Sequence, residues 1–217
     1  MRVRRVSQGT VDVLDPASAL WSEGELVRID LIPTPLALQP SPYVKASRED
    51  RPYGRVREVD VRALHDGKQI AFLLTWDDPD RDVEPPGDER FPDGAALLFP
   101  LAKDAPLVTM GAEGKPVGAW HWRADRPDRP RSNVAAGLGT TRVTNEPSLA
   151  TASHWDHGRW RVVFRRALSN GAPPAEAVQM KLGDSVPVAF AVWDGSNGER
   201  GGLKSFSPSW LTITLED

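Results

Sequence analysis

Apolar and polar residues alternate along much of this chain with a period of two, the spacing that sends successive side chains to opposite faces of a strand. Val59, Val61 and Ala63 alternate with Asp60 and Arg62, Asp66 and Gly67 supply a turn, and Ile70, Phe72, Leu74 and Trp76 mark the returning strand. The pattern predicts a hairpin in a half-buried sheet. Ala95 to Leu101 is apolar on both faces, as a strand crossing the middle of a sandwich should be. Trp155 to Trp160 reads as a tight turn between strands, with Trp160, Val162 and Phe164 facing inward and Arg159, Arg161 and Arg165 facing out. That arginine row is either a solvated face or one that meets an acidic partner.

Gly24 to Leu31 is a plausible first strand. Pro33, Pro35, Pro40 and Pro42 then block ladder donation and helix, which predicts an irregular surface connection. Residues 124–147, rich in Pro, Gly, Asn and Arg, show no periodicity and read as a docking loop or as disorder. Helical spacing is weak throughout, and Pro173 to Ala177 is the best candidate for one short turn. Strands with regular turn signals dominate. The expected fold is a single all-β domain over residues 1–217, a two-sheet antiparallel β-sandwich with long loops and at most short helices. Val186 to Trp193 and Trp210 to Leu215 are expected among its central strands.

Composition narrows the function more than the fold. A chain of 217 residues supports one sizeable core, and its net charge of -3 gives no electrostatic reason to bind nucleic acid. Cysteine is absent, which removes disulfides, thiolate metal sites, iron-sulphur ligation and covalent c-type haem attachment. Met1 to Arg5 has the charge of a signal n-region, but Val6 to Asp12 is too polar to be the apolar segment that should follow. No apolar run reaches the length of a membrane span.

Several groupings carry candidate chemistry. The acidic loop from Trp76 to Asp88 offers oxygen ligands to calcium, but its spacing misses the EF-hand pattern and Pro79 interrupts it, so a solvated loop is expected. His154, Asp156 and His157 need a third ligand from elsewhere to hold a metal, and no G-x-S-x-G motif or cysteine supplies a hydrolase nucleophile. Met110 precedes Gly111 where a strand opens into a turn, a place for either a core filler or a soft ligand. Met180 is expected to serve as packing. Lys204 follows a glycine-rich loop, ordinarily the setting of a solvated charge. To ligate a metal it must lose its proton, which from an unperturbed pKa costs about 4 to 5 kcal/mol at pH 7. Phe190, Trp193, Leu203, Phe206 and Trp210 supply an apolar setting that lowers this cost.

Two distant motifs agree in order and spacing with one family. The first runs from Phe91 through Gly94 and Phe99 to Met110, Gly111 and then Trp120 to Arg123; the second runs from Trp193 through Asn197 and Arg200 to Lys204 and Trp210. In these the chain, from about Arg55 onward, resembles the haem b subunits of ethylbenzene dehydrogenase and dimethyl sulfide dehydrogenase, type II molybdenum enzymes of the dimethyl sulfoxide reductase family. The resemblance implies a β-sandwich holding haem b between loops and the sandwich edge, with Met110 and Lys204 as the two iron ligands. Phe99, Trp193 and Phe206 are expected beside the haem, and Asn197, Arg200 and Ser205 are candidate partners for its propionates by side-chain chemistry. It further implies a non-catalytic electron-transfer subunit, fed by an iron-sulphur subunit and a molybdenum catalytic subunit and discharging to a soluble cytochrome or similar carrier. A periplasmic or otherwise exported location follows by the same resemblance, with the signal removed or export shared with a partner. The rival reading is a carbohydrate-binding module, in which several of the eight tryptophans would stand exposed in a row.

Overall fold

The computed structural model describes residues 1–7, 9, 15–87 and 90–217. Within the polar N-terminal run, Gln8 and Thr10 to Asp12 lie outside the described residues, as does Asp88 of the acidic loop. Fourteen strands and one α-helix follow in chain order among the described residues: β1 (Arg2–Arg5), β2 (Val27–Asp30), β3 (Ile32–Pro33), α1 (Pro42–Arg48), β4 (Glu58–His65), β5 (Gln69–Asp77), β6 (Gly94–Pro100) and β7 (Val117–Arg123). Then come β8 (Arg131–Ala135), β9 (Arg142–Thr144), β10 (Ala150–Asp156), β11 (Arg159–Ala167), β12 (Ser185–Trp193), β13 (Ser205–Phe206) and β14 (Leu211–Leu215). The fold is all-β and sandwich-like.

One mixed sheet, in the order β10-β11-β5-β4-β1-β14-β12-β6-β7-β8-β9, bends over on itself to make the two layers. Antiparallel pairing holds except at β1, which runs parallel to both neighbours. Those four residues are a correction to the expected first strand at Gly24. Val3 is fully buried, and Arg2 to Arg5 is held between β4 and β14 as the link that joins the layers. The core lies between β4, β5 and β11 on one side and β6, β7 and β12 on the other. There Phe72 meets Phe99 and Trp120, and Trp122 packs edge-on against Trp76 and Trp160. Met180 is buried in that core.

The expected hairpin is present, turned by Gly67 in the left-handed region while the Asp66 carboxylate accepts from the backbone N–H groups of Lys68 and Gln69. Its sheet is not half-buried, because Trp21 and its neighbours cover Leu64, Ala71 and Leu73 on the outer side. Two loop expectations also change. Pro42 opens α1 rather than preventing it: at the first helical position its missing N–H has no acceptor to lose, and Ser41 caps the turn. Residues 124–147 contain β8 and β9, which extend the ladder from β7. Glu146 in the same stretch pairs with the buried Arg166 at 2.7 Å. Arg159 is engaged by Asp60 and Asp77 on the neighbouring strands, as in a solvated charged face.

Candidate functional site

Alternation along β6, β7 and β12 sends Leu97, Phe99, Trp120, Trp122, Phe190 and Val192 into the core. The intervening residues therefore face outward from that layer. Register sets them in rows: Ala191, Ala96, His121 and Arg131 lie side by side across four strands, with Ala189, Leu98, Ala119 and Asn133 beside them. Four alanines make this a low floor. Walls rise from Thr34 to Pro40, Leu107 to Met110, Leu138 to Thr141 and Gly201 to Lys204, enclosing an apolar cavity of about 400 Å³. Its size is that of pockets that hold organic ligands. A larger open groove of about 620 Å³ beside Arg81, His154 and Trp155 has a mixed polar lining without convergent soft ligands.

Met110 and Lys204 both line the apolar cavity. Met110 adopts φ 55, a strained backbone for a side chain with a Cβ, and such strain persists only where surroundings impose it. They do: Gly137 N–H donates to the Met110 carbonyl, and Gly111 N–H reaches back to Pro106. At Gly111 a Cβ would lie 2.8 Å from the carbonyl oxygens of Ala135 and Lys115. Backbone packing thus requires that glycine.

Lys204 is buried, and Met110 Sδ lies 3.7 Å from its Nζ. The amine also sits 5.3 Å from the centroid of the Trp193 ring. No carboxylate pairs with it among the described residues, and burial pushes its pKa down to about 8. The loop that delivers it is fastened at several points. Glu199 is buried and accepts from the backbone N–H groups of Gly54, Arg55 and Asp194 and from Asn197 Nδ2. Arg48 of α1 donates to the carbonyls of Asn197 and Gly198, and Gln39 to that of Gly202.

Of the other residues nominated from sequence, Trp193 and Phe206 line the cavity. The remaining four lie elsewhere. Phe99 points into the core against Trp120, one position out of phase with the floor residue Leu98. Asn197 is occupied with Glu199 and Pro52, and Arg200 stacks over Phe91 at 4.3 Å. Ser205 is fully buried in the short β13 ladder. Sequence reasoning passed over His121, although its place between core residues Trp120 and Trp122 put it on the opposite face. Burial, reinforced by Arg126, Arg123, Lys204 and Arg131, pushes its pKa down to about 3, so the imidazole is neutral at pH 7. His154, Asp156 and His157 stay apart from any third ligand among the described residues.

A sequence profile described as ethylbenzene dehydrogenase matches residues 18–147 and 140–205. The chain belongs to that family. A proposed respiratory nitrate reductase heme subunit from Haloferax mediterranei is 32% identical over 193 residues, 88% of this chain and 65% of that protein, so the chain spans just under two thirds of that relative. The dimethylsulfide dehydrogenase γ subunit of Rhodovulum sulfidophilum is 29% identical, covering 91% of this chain and 73% of the relative. The chlorate reductase γ subunit of Ideonella dechloratans is also 29% identical, covering 98% and 83%. These relatives place the ethylbenzene dehydrogenase family chain with the γ subunits of the type II dimethyl sulfoxide reductase family.

The fold is also similar to a family 9 carbohydrate-binding module from Caldicellulosiruptor kristjanssonii, at TM-score 0.52 and 12% identity over 100% of this chain and 96% of that one. A proposed carbohydrate-binding protein from Bacteroides uniformis gives TM-score 0.56 and 11% identity over 100% and 98%. Identity so low speaks for the architecture alone. The exposed row of tryptophans that sugar stacking needs is missing: Trp21, Trp76, Trp120, Trp122 and Trp160 are buried and Trp155, Trp193 and Trp210 are half-buried.

Proposed function

We propose that this chain holds one haem b without covalent links in the cavity on the outer face of β6, β7 and β12, with Met110 Sδ and Lys204 Nζ as its iron ligands. The observation that carries the reading is a buried amine with no carboxylate partner among the described residues, 3.7 Å from a thioether in an apolar pocket floored by alanine. An amine in that position has lost its water and gained no anion, so it is a donor set for a metal rather than a salt bridge. The absence of cysteine excludes thioether attachment of the macrocycle to the chain. A relative named as a heme subunit supports the same cofactor.

Each residue has a definable task. Burial lowers the Lys204 pKa to about 8, so supplying the neutral amine at pH 7 costs about 1.4 kcal/mol instead of more than 4. Met110 supplies a soft neutral sulphur, and its three side-chain torsions let the tip move aside as the pocket fills. Ala96, Ala119, Ala189 and Ala191 keep the floor low enough for a flat ring, and the walls exclude water. A haem held by Met110 and Lys204 would supply one-electron transfer rather than oxygen or substrate chemistry.

The chain is accordingly a non-catalytic subunit that passes electrons between an iron-sulphur partner of a molybdenum enzyme and an external carrier such as a soluble cytochrome. Its γ-subunit relatives support that role, and the family resemblance supports a periplasmic or otherwise exported location. The test is a visible spectrum of the purified chain reconstituted with haem. A low-spin, reversibly reducible b-type signal at one haem per chain is expected; no bound haem after reconstitution overturns the reading.

A further inference from the structure

Asp78, in the acidic loop expected to be solvated, is buried instead. Asp78, Asp93 and Asp194 are all buried, at 1%, 0% and 1% exposure, and an oxygen of each lies within 4.8 Å of the others. The three come from separate segments: the loop after β5, the residue before β6 and the loop after β12. Asp93 is well supplied with donors, taking Gly195 N–H at 2.9 Å on Oδ1 and Asp82 N–H and Trp160 Nε1 at 2.9 and 3.0 Å on Oδ2. Asp194 Oδ1 accepts from Ser196 Oγ and Asn197 N–H, while Oδ2 lies 3.1 Å from the half-exposed Arg55 guanidinium.

Asp78 breaks the pattern. Its Oδ1 accepts one N–H, from Asp80 at 3.2 Å, and its Oδ2 is buried with no hydrogen-bond partner among the described residues. The neighbouring Glu199 shows how this fold treats a buried carboxylate that has a purely structural role, with four donors on its two oxygens. A buried carboxylate oxygen left without a donor is costly, and it points to a ligand. Asp82 Oδ2, at the edge of the cluster, is buried and lacks a partner in the same way.

We propose that Asp78, Asp93 and Asp194 bind one calcium ion. Calcium takes oxygen ligands at about 2.3–2.6 Å, so oxygens that share one ion stand within about 5 Å of each other, as these do. Charge agrees: a dication offsets most of the negative charge of the three buried carboxylates, with the half-exposed Arg55 guanidinium beside Asp194. Calcium suits the site better than magnesium, because magnesium dehydrates reluctantly and seldom sits among dry protein carboxylates. Burial, with repulsion from Asp93 and Asp194, pushes Asp78 up to about 8, and burial, with repulsion from Asp82, pushes Asp93 up to about 7 when no cation offsets them. The ion would tie three loops into one unit, and the last of them runs on to Lys204.

The experiment uses the whole chain, stripped with EGTA, and does not require haem. Trp160 donates to Asp93, which places an indole antenna beside the ion, so terbium bound there should luminesce on tryptophan excitation. One equivalent of terbium is expected to give sensitised emission that calcium displaces, and calcium at 1 mM, chosen as roughly saturating, should raise the melting temperature by about 5 °C. Asp78→Asn and Asp194→Asn, which keep side-chain shape, should each lose both signals. No sensitised emission and no calcium-dependent shift in the unaltered chain overturns the proposal. So does survival of both signals, at unchanged midpoint, in the two variants.

Discussion

Lys204 Nζ lies 3.7 Å from Met110 Sδ, although 94 residues separate the two along the chain. Lys204→Ala and Met110→Leu should each convert the reconstituted haem from low spin to high spin or reduce its retention at least about tenfold. Absorption spectra of the two variants, read against haem content, check this; unchanged spectra in both would end the ligand assignment.

The same buried amine makes an opposite prediction for the haem-free chain. Its pKa falls from 10.5 unfolded to about 8 folded, so below about pH 8 both states are protonated and the fold carries the whole penalty of burying the charge. That penalty, about 3 kcal/mol, is relieved as pH rises from about 8 toward 10.5. Lys204→Met should therefore stabilise the haem-free chain at pH 7, with the advantage shrinking above pH 8. Urea unfolding at pH 7 and pH 10 measures both ends of the window.

Ala96 and Ala119 face the cavity, not the core, so enlarging them should obstruct the ligand without disturbing the interior. Ala96→Leu and Ala119→Leu are expected to weaken haem binding about tenfold or more while moving the melting temperature of the haem-free chain by a few degrees at most. Haem titration and thermal melting of the same preparations separate the two effects.

Gly111 and Gly114 provide a matched pair. Both have positive φ, at 85 and 71, but a Cβ at Gly111 meets two carbonyl oxygens at 2.8 Å while one at Gly114 meets open space. Gly114→Ala should cost about 1 kcal/mol from its backbone conformation, and Gly111→Ala about 2 kcal/mol or more. Only the Gly111 variant should also alter the haem spectrum, because the displaced turn carries Met110.

His121 gives an acid-side signature. Its folded pKa of about 3 lies below the unfolded 6.5, so the unfolded chain takes up a proton that the fold refuses. Stability from this residue is complete above about pH 6.5 and is lost at about 1.4 kcal/mol per pH unit as pH falls toward 3. His121→Gln should lack that component, seen as a shallower decline in unfolding free energy between pH 6 and 4 than in the unaltered chain.

Much of the fold was legible from local pattern. The β4-β5 hairpin, the doubly apolar β6 and the central β12 follow from alternation and turn residues, because those preferences act over a few residues at a time. Resemblance nominated Met110 and Lys204, and burial physics said what Lys204 would need. Alternation also separated Phe99 from Leu98 and His121 from its flanking tryptophans, but it assigns faces without saying which face is covered.

That choice belonged to the tertiary structure. The outer face of β6, β7 and β12 becomes a pocket because Thr34 to Pro40 and Leu138 to Thr141, distant in sequence, close over it. Asp78 is buried for the same kind of reason, since Asp93 and Asp194 arrive from other strands and shut out the water its loop composition suggested. β1 and β8 form because partner strands offer unpaired backbone, a demand that their own residues do not announce. A single chain encodes its periodicity locally, but burial is a property of what packs against it, and only the packed structure shows that Lys204 and Asp78 are withdrawn from water.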